Sequence, residues 1–162
     1  SVETEIVLDN WESLVPDSWD VSFMSLENQE NWFIGEKKTD ELCDTVSSAM
    51  ELVRLTQNQA PVHRDASTSP SAERLVYGGH TIGLAQASLN RLMPGNATIL
   101  GWQSCDHLGP VHEGDVLSFQ HTLLDQKTLT NGKISAIKTE VSSLKGSEVS
   151  NVLDWRLVVF GA

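Results

Sequence analysis

The stretch YGGHTIGL, residues 77–84, opens the segment that decides the fold of this 162-residue chain. Two consecutive glycines lead into a helix that we predict to span residues 81–93. Only Gln86, Asn90 and Arg91 are strongly polar along this helix. Because a helix that is apolar nearly all round is buried, we expect it to lie at the centre of the molecule.

Long strands follow this helix. An Asn131-Gly132 pair is a strong signal for a hairpin turn between two of them. Long strands joined by short turns form an antiparallel sheet. One buried helix followed by such strands indicates an α+β fold in which the sheet wraps around the helix. We predict the strands at 98–104, 116–124, 134–144 and 149–160.

The segment before the glycine pair is predicted to contain an amphipathic helix at residues 39–55. Thr39 suits its N-cap, and Cys43 falls on its apolar side, where it would be a small core residue. Its apolar residues recur at the spacing of one buried helical face, namely Leu42, Val46, Ala49, Met50 and Val53.

Residues 1–38 carry three of the five tryptophans of the chain. This segment is too aromatic for a disordered tail. A short helix is predicted to start at Asp9-Asn10-Trp11-Glu12 and to end before Pro16. We expect residues 1–38 to cover a single domain that spans residues 1–162.

The net charge of −11 argues against nucleic acid as a partner, because no cluster of Lys and Arg exists to replace phosphate counterions. It also argues against an anionic membrane surface. No apolar run approaches the roughly 18 residues that a spanning helix needs. Two cysteines give no disulfide framework, so we expect a cytoplasmic protein.

Candidate chemistry is concentrated in the segment QAPVHRD, residues 59–65, and in the glycine pair. His63 offers an imidazole beside a rigid proline. Backbone N–H groups at a helix N-terminus, here those of Gly78 and Gly79, can cradle a developing oxyanion. A base near such a cradle is the minimum equipment for proton transfer next to a thioester carbonyl.

Each of these residues also has a structural interpretation. His63 could be a plain turn residue, His80 could cap the helix, and Tyr77 could serve packing alone. Asp106, His107 and His112 lie near Cys105, but their spacing matches no zinc pattern. We therefore predict no metal site.

Three blocks in order, at residues 55–65, 77–84 and 94–115, resemble the MaoC-type acyl-thioester hydratases of the hotdog fold. The similarity is greatest to the mesaconyl-CoA (2-methylfumaryl-CoA) hydratase branch. The resemblance implies a long antiparallel sheet wrapped around a buried central helix. It also implies that two hotdog units are needed for a complete assembly, so we expect a homodimer with a continuous sheet.

The resemblance also implies roles for individual residues. His63 matches the catalytic histidine of the family, and Gly78 or Gly79 matches the oxyanion donor. Tyr77 and His80 would contact the substrate. Arg64, beside His63, could provide local positive charge for an anionic ligand.

The match breaks at the family's acidic residue, whose position is occupied by Asn58. The family's asparagine position is Ala60. An amide can orient water but cannot take a proton at neutral pH. Three alternatives follow: the carboxylate role has moved, with Asp65 and Asp106 as candidate replacements, or His63 works alone, or activity is lost. In an active hydratase Asn58 would orient the water.

The function implied is a lyase activity, the reversible hydration of a 2-enoyl-CoA or acyl-carrier thioester with a branched or dicarboxylic acyl group. No metal or redox cofactor is expected. Two alternatives stay open. One is a non-catalytic acyl-CoA or acyl-carrier binding module, and the other is a thioesterase.

Overall fold

The computed structural model describes residues 5–24, 32–145 and 147–162, and it contains one antiparallel sheet with a long helix packed against it. The helices are α1 (Asp9–Glu12), α2 (Ala49–Leu55) and α3 (Gly78–Leu92). The strands are β1 (Lys37–Thr39), β2 (Asp44–Thr45), β3 (Asn96–His107), β4 (Val116–Leu129), β5 (Gly132–Lys145) and β6 (Glu148–Gly161).

The sheet has the order β1-β4-β5-β6-β3, and β2 also pairs with β4. Strands β4, β5 and β6 have 14 residues each and pair over nearly their full lengths. All four strands predicted after the central helix are confirmed, and each is somewhat longer than predicted. Leu129 pairs directly with Gly132, which confirms the hairpin expected at this point.

Helix α3 packs on the inner face of the sheet. Its buried residues are Thr81, Ala85, Ser88 and Leu89, and the apolar ones join a core formed by β4, β5 and β6. The helix begins at Gly78 rather than at the predicted position, so both glycines belong to its first turn. The expectation of burial all round is wrong for the single chain, because one sheet covers only one side of a helix. Residues that stay partly exposed include Ile82, Leu84 and Leu92.

The helix predicted at residues 39–55 is wrong over residues 39–48. Only Ala49–Leu55 is helical, and Thr39 ends a strand instead of capping a helix. Leu42 and Cys43 are exposed rather than buried. The physical reason is that β1 and β2 pair with β4, and these tertiary hydrogen bonds override a local pattern with helical spacing.

Residues 5–24 lie on the outer face of the sheet. Four apolar residues of this segment are buried against Ile134, Ala136, Val158 and Phe160 of β5 and β6. They are Ile6, Leu8, Val15 and Val21. The predicted short helix is present as α1. The rest of the predicted cover includes residues 1–4 and 25–31, which lie outside the described residues.

Trp11 of α1 rests directly on β3. A Cβ atom placed on Gly101 would come within 2.5 Å of the Trp11 ring, so this contact requires a glycine. Among the residues that the structure describes, no helix has the length and apolar character needed to cross a membrane.

A chain of buried polar groups fixes α3 on the sheet. His121 of β4 is hydrogen-bonded through Nε2 to Ser88 Oγ at 2.9 Å and through Nδ1 to Thr139 Oγ1 at 2.9 Å. Near the same position Asp40 accepts two hydrogen bonds from the Arg91 guanidinium, at 2.9 and 2.6 Å. These contacts give α3 one defined rotation about its axis.

Candidate active site

An open groove of about 620 Å³ lies beside the first turns of α3. His63, Tyr77, Gly78, Gly79 and His107 all line it. The structure therefore brings together His63, Tyr77, Gly78 and Gly79. The other predicted site residues do not line this groove, namely Asn58, Arg64, Asp65 and His80. The groove is also lined by Ile82, Gln86 and Trp102, two apolar side chains and one amide.

His63 is held in one orientation by the backbone. A short 3-10 turn at Pro61–His63 presents the ring, and Nδ1 lies 2.8 Å from the carbonyl oxygen of Leu75. A carbonyl oxygen can only accept, so Nδ1 carries the proton and donates it. In the neutral ring Nε2 therefore keeps its lone pair and can act as a base.

Leu75 is itself fixed by strand-like contacts. It forms an isolated bridge with His112, and the Val76 N–H donates to the carbonyl of Val111 at 2.8 Å. The carbonyl that orients His63 is thus anchored to the segment before β4. Tyr77 adds a ring contact, with its centroid 5.9 Å from that of His63.

The start of α3 leaves backbone amides available. Tyr77 occupies the N-cap position and makes no capping hydrogen bond with its side chain. The His80 N–H donates to the Tyr77 carbonyl, whereas the first N–H groups of a helix have no intrahelical acceptor. The amides of Gly78 and Gly79 are therefore the donors that this helix end can offer to an oxyanion.

Both glycines are required by close packing. A Cβ atom on Gly79 would lie 2.6 Å from the Tyr77 ring, and one on Gly78 would lie 2.7 Å from the His107 ring. Two aromatic side chains thus approach the helix start more closely than any other residue type would permit. This packing explains the glycine pair without any requirement for an unusual backbone conformation.

Asn58 has a different contact from the one predicted. Its Oδ1 accepts the Ala60 N–H at 2.9 Å, and its backbone carbonyl accepts from Arg64 Nε at 2.8 Å. Asn58 does not line the groove of His63. The side chain therefore shapes the loop that presents His63. Arg64 is exposed and stays next to this loop.

The two candidate replacement carboxylates are also outside the groove. Asp65 is exposed and caps a 3-10 turn, accepting from Ser67 N and Oγ at 2.9 and 2.8 Å. These hydrogen bonds lower the pKa of Asp65. Asp106 is exposed on β3. Among the described residues that line the groove there is no carboxylate.

His80 faces a second groove. This groove lies between α2 and α3 and is lined mainly by apolar side chains such as Leu52, Leu55 and Leu84. Burial lowers the pKa of His80, against a smaller opposing effect of Glu113. Its buried Nδ1 has no hydrogen-bond partner among the described residues. His80 is therefore not brought together with His63, although both flank the first turn of α3.

His107 is the groove residue that the sequence analysis did not assign to this site. It ends β3, the strand that runs back along α3 after the helix. The strand order could have indicated it, since a strand directly after a helix returns towards the helix start. In the part of the chain that the structure describes, no cluster of three or more His, Cys, Asp or Glu is arranged for a metal.

Comparisons with known proteins give three relevant similarities. The chain is 29% identical over 117 residues to the mesaconyl-CoA hydratase of Cereibacter sphaeroides, covering 71% of this chain and 34% of that protein. A conserved hypothetical protein of Mycobacterium tuberculosis with a double hotdog fold is 36% identical, with a TM-score of 0.75 over 95% of this chain and 44% of that chain. A putative MaoC domain dehydratase of Chloroflexus aurantiacus is 21% identical, with a TM-score of 0.76 over 91% of this chain and 48% of that chain.

No protein-family model matches the chain. The chain spans about a third to a half of the length of these relatives. The comparisons confirm the α+β hotdog fold and the resemblance to MaoC-like hotdog hydratases that the three sequence blocks indicate.

Proposed function

Because this chain has the hotdog fold and resembles MaoC-like hydratases, we propose that it catalyses the reversible addition of water to a 2-enoyl thioester. One observation carries the proposal. The Nε2 atom of His63 is free to accept a proton in a groove that also contains the open amides of Gly78 and Gly79.

The reaction follows from these groups. His63 Nε2 removes a proton from a water molecule as the water oxygen attacks C3 of the enoyl group. Negative charge develops on the thioester oxygen, where the Gly78 and Gly79 amides donate hydrogen bonds. Loss of one such donor typically costs about 3 kcal/mol of transition-state stabilisation. A proton delivered to C2 completes the hydration.

The proposed substrate is a CoA thioester or an acyl-carrier thioester with a branched or dicarboxylic acyl group. The 29% identity to a mesaconyl-CoA hydratase supports this acyl class. Ile82 and Trp102 give the groove an apolar part that suits a methyl branch. Arg64, exposed beside the His63 loop, supports the binding of an anionic substrate.

The proposed assembly is a homodimer with a continuous sheet. Strand β3 is at the edge of the sheet, and no described strand pairs with its outer side. The half-exposed side of α3, which includes Ile82, also needs an apolar cover. A second hotdog unit supplied by a second copy would meet both needs. A cytoplasmic location stays a prediction.

The test is hydration of crotonyl-CoA and mesaconyl-CoA by the purified protein. We expect turnover by the wild type and a 10²- to 10⁴-fold lower kcat in His63→Gln, which is the usual contribution of a general base. Free CoA would be measured in the same reactions, since its release would identify a thioesterase instead. Absence of hydration of both substrates, or full activity in His63→Gln, would refute the proposal.

A second candidate function is the binding of acyl thioesters without catalysis. The observation that favours it is the absence of a carboxylate among the described residues that line the groove. A rise in melting temperature with butyryl-CoA, without any turnover of enoyl-CoA, would identify this function.

A further inference from the structure

We propose that His107 is the second proton-transfer group of this site and donates the proton that C2 receives. The inference rests on the proposed hydration, which itself requires only His63 and the two glycine amides. It assigns a role to an imidazole that neither sequence motif contains.

The position of His107 is the first argument. Its ring lies against Gly78, so closely that a Cβ atom there would be 2.7 Å from both Cε1 and Nε2. The same ring lines the groove that contains His63. Two imidazoles therefore flank the amides at which the thioester oxygen would bind.

The second argument is that the His107 ring is unbound. The residues that the structure describes give its ring no hydrogen-bond or ion-pair partner, and the residue is exposed at the end of β3. Three of the other histidines have their rings bound: His63 to Leu75, His121 to Ser88 and Thr139, and His112 to Ser71. An unbound imidazole that lines a groove is available to a bound substrate.

The missing acid is the third argument. Hydration takes one proton from water and delivers one proton to C2, and two separate groups can divide these two transfers. His63 has a single available nitrogen, because Nδ1 donates to the Leu75 carbonyl. Asn58 and Asp65 make local contacts outside the groove. Among the described lining residues, His107 is the remaining imidazole besides His63.

The water oxygen forms a bond to C3 while His63 Nε2 takes one of its protons, and the C2–C3 π electrons move towards the thioester oxygen. The enolate electrons then form a C2–H bond with the proton of the His107 imidazolium. His63 ends protonated and His107 neutral, and exchange with solvent restores both. The net change is the addition of one water molecule, with no oxidation or reduction.

The test compares His107→Gln with wild type in hydration of crotonyl-CoA. We expect kcat to fall at least 10²-fold, the lower limit of a typical general-acid contribution, while KM changes less than threefold. Asp106→Asn, the preceding position on the same strand and outside the groove, is the matched control and should keep wild-type kinetics.

Butyryl-CoA binding, followed by melting temperature, shows in parallel that each variant is folded and retains the groove. Wild-type hydration with unchanged kcat in His107→Gln would overturn the role of His107 and leave the proposed function standing. An effect on KM alone would overturn it as well and would identify a binding contact. Absence of hydration by the wild type would overturn both proposals.

Discussion

At the scale of single residues, the orientation of His63 depends on a backbone carbonyl. Where the related hydratases are expected to have a carboxylate, this chain has Asn58, and the Leu75 carbonyl accepts from His63 Nδ1. A carbonyl fixes the tautomer of an imidazole but adds no negative charge to stabilise the imidazolium. The base in this groove is therefore positioned by the backbone and not by a carboxylate side chain.

The role of Asn58 can be tested by changing it to Ala and to Asp. Asn58→Ala removes the acceptor of the Ala60 N–H and should lower the free energy of unfolding by about 1 kcal/mol. It should also lower kcat, because the loop presents His63. Asn58→Asp keeps an acceptor oxygen and should leave stability within about 0.5 kcal/mol of wild type. Urea unfolding and hydration kinetics measure both effects, and an unchanged Asn58→Ala protein would contradict this role.

The site residues differ in how far the sequence could predict them. His63 and the glycines follow from local motifs, because a turn and a helix start place them. The hydrogen bond from the Ala60 N–H to Asn58 Oδ1 was not predictable, because an amide side chain in a loop can bind water instead. His107 depends on the path of β3 back along α3, which is a tertiary property.

At the scale of elements, α3 is tied to the sheet through His121, which is fully buried. Burial lowers the pKa of His121 to about 4, while the smaller influences of Asp40 and Arg91 oppose each other. At ordinary pH the ring is therefore neutral and shares hydrogen bonds with Ser88 and Thr139.

This burial predicts a loss of stability in mild acid. Between an unfolded pKa of 6.5 and a folded pKa of about 4, the unfolded chain binds a proton that the folded chain does not. The free energy of unfolding should thus fall by about 2 kcal/mol from pH 7 to pH 5 because of this one group.

Urea unfolding at several pH values measures this contribution. His121→Gln cannot titrate, so its free energy of unfolding, although lower at pH 7, should lack this part of the pH dependence. His112→Gln is the matched control, because His112 contacts neither Ser88 nor Thr139 and should leave the dependence in place. Equal pH dependence in wild type and His121→Gln would show that His121 is not the group responsible.

The elements also show where sequence patterns fail. The four long strands were predictable because turn residues separate them, as Asn131-Gly132 separates β4 from β5. The segment at 39–48 has helical spacing, yet it pairs with β4 as β1 and β2. Asp40 is held there by an ion pair with Arg91, which lies 51 positions later in the chain. A local sequence pattern cannot indicate a contact between residues so far apart.

At the scale of the whole molecule, the long edge strand of the sheet has no partner on its outer side among the described residues, and one side of α3 is partly exposed. The edge is β3, whose residues pair with β6 on one side only within the described part of the chain. Exposed Trp102 lies on the same strand and packs edge-to-face on Trp155, with ring centroids 5.3 Å apart. The candidate groove thus opens towards the edge at which a second copy would pair.

A proline at this edge should prevent the pairing of two copies. Gln103 is passed over in the β3–β6 register, so Gln103→Pro should keep that pairing while it removes an N–H from the strand. Sedimentation velocity should show a dimer for wild type and a monomer for the variant. Gln103→Ala, which changes the side chain and keeps the backbone N–H, is the control. A proline in β4, such as Gln120→Pro, is unsuitable because β4 is paired on both sides. A dimer that persists in Gln103→Pro would exclude the β3 edge as the interface.

The most direct test of the account is a crystal structure of the protein with butyryl-CoA, a saturated thioester that cannot be hydrated. We predict the thioester oxygen within hydrogen-bond distance of the Gly78 or Gly79 amide nitrogen, with C3 of the acyl group facing His63 Nε2. An acyl group bound away from these amides, or with His63 directed away from C3 in every copy, would contradict the proposed site.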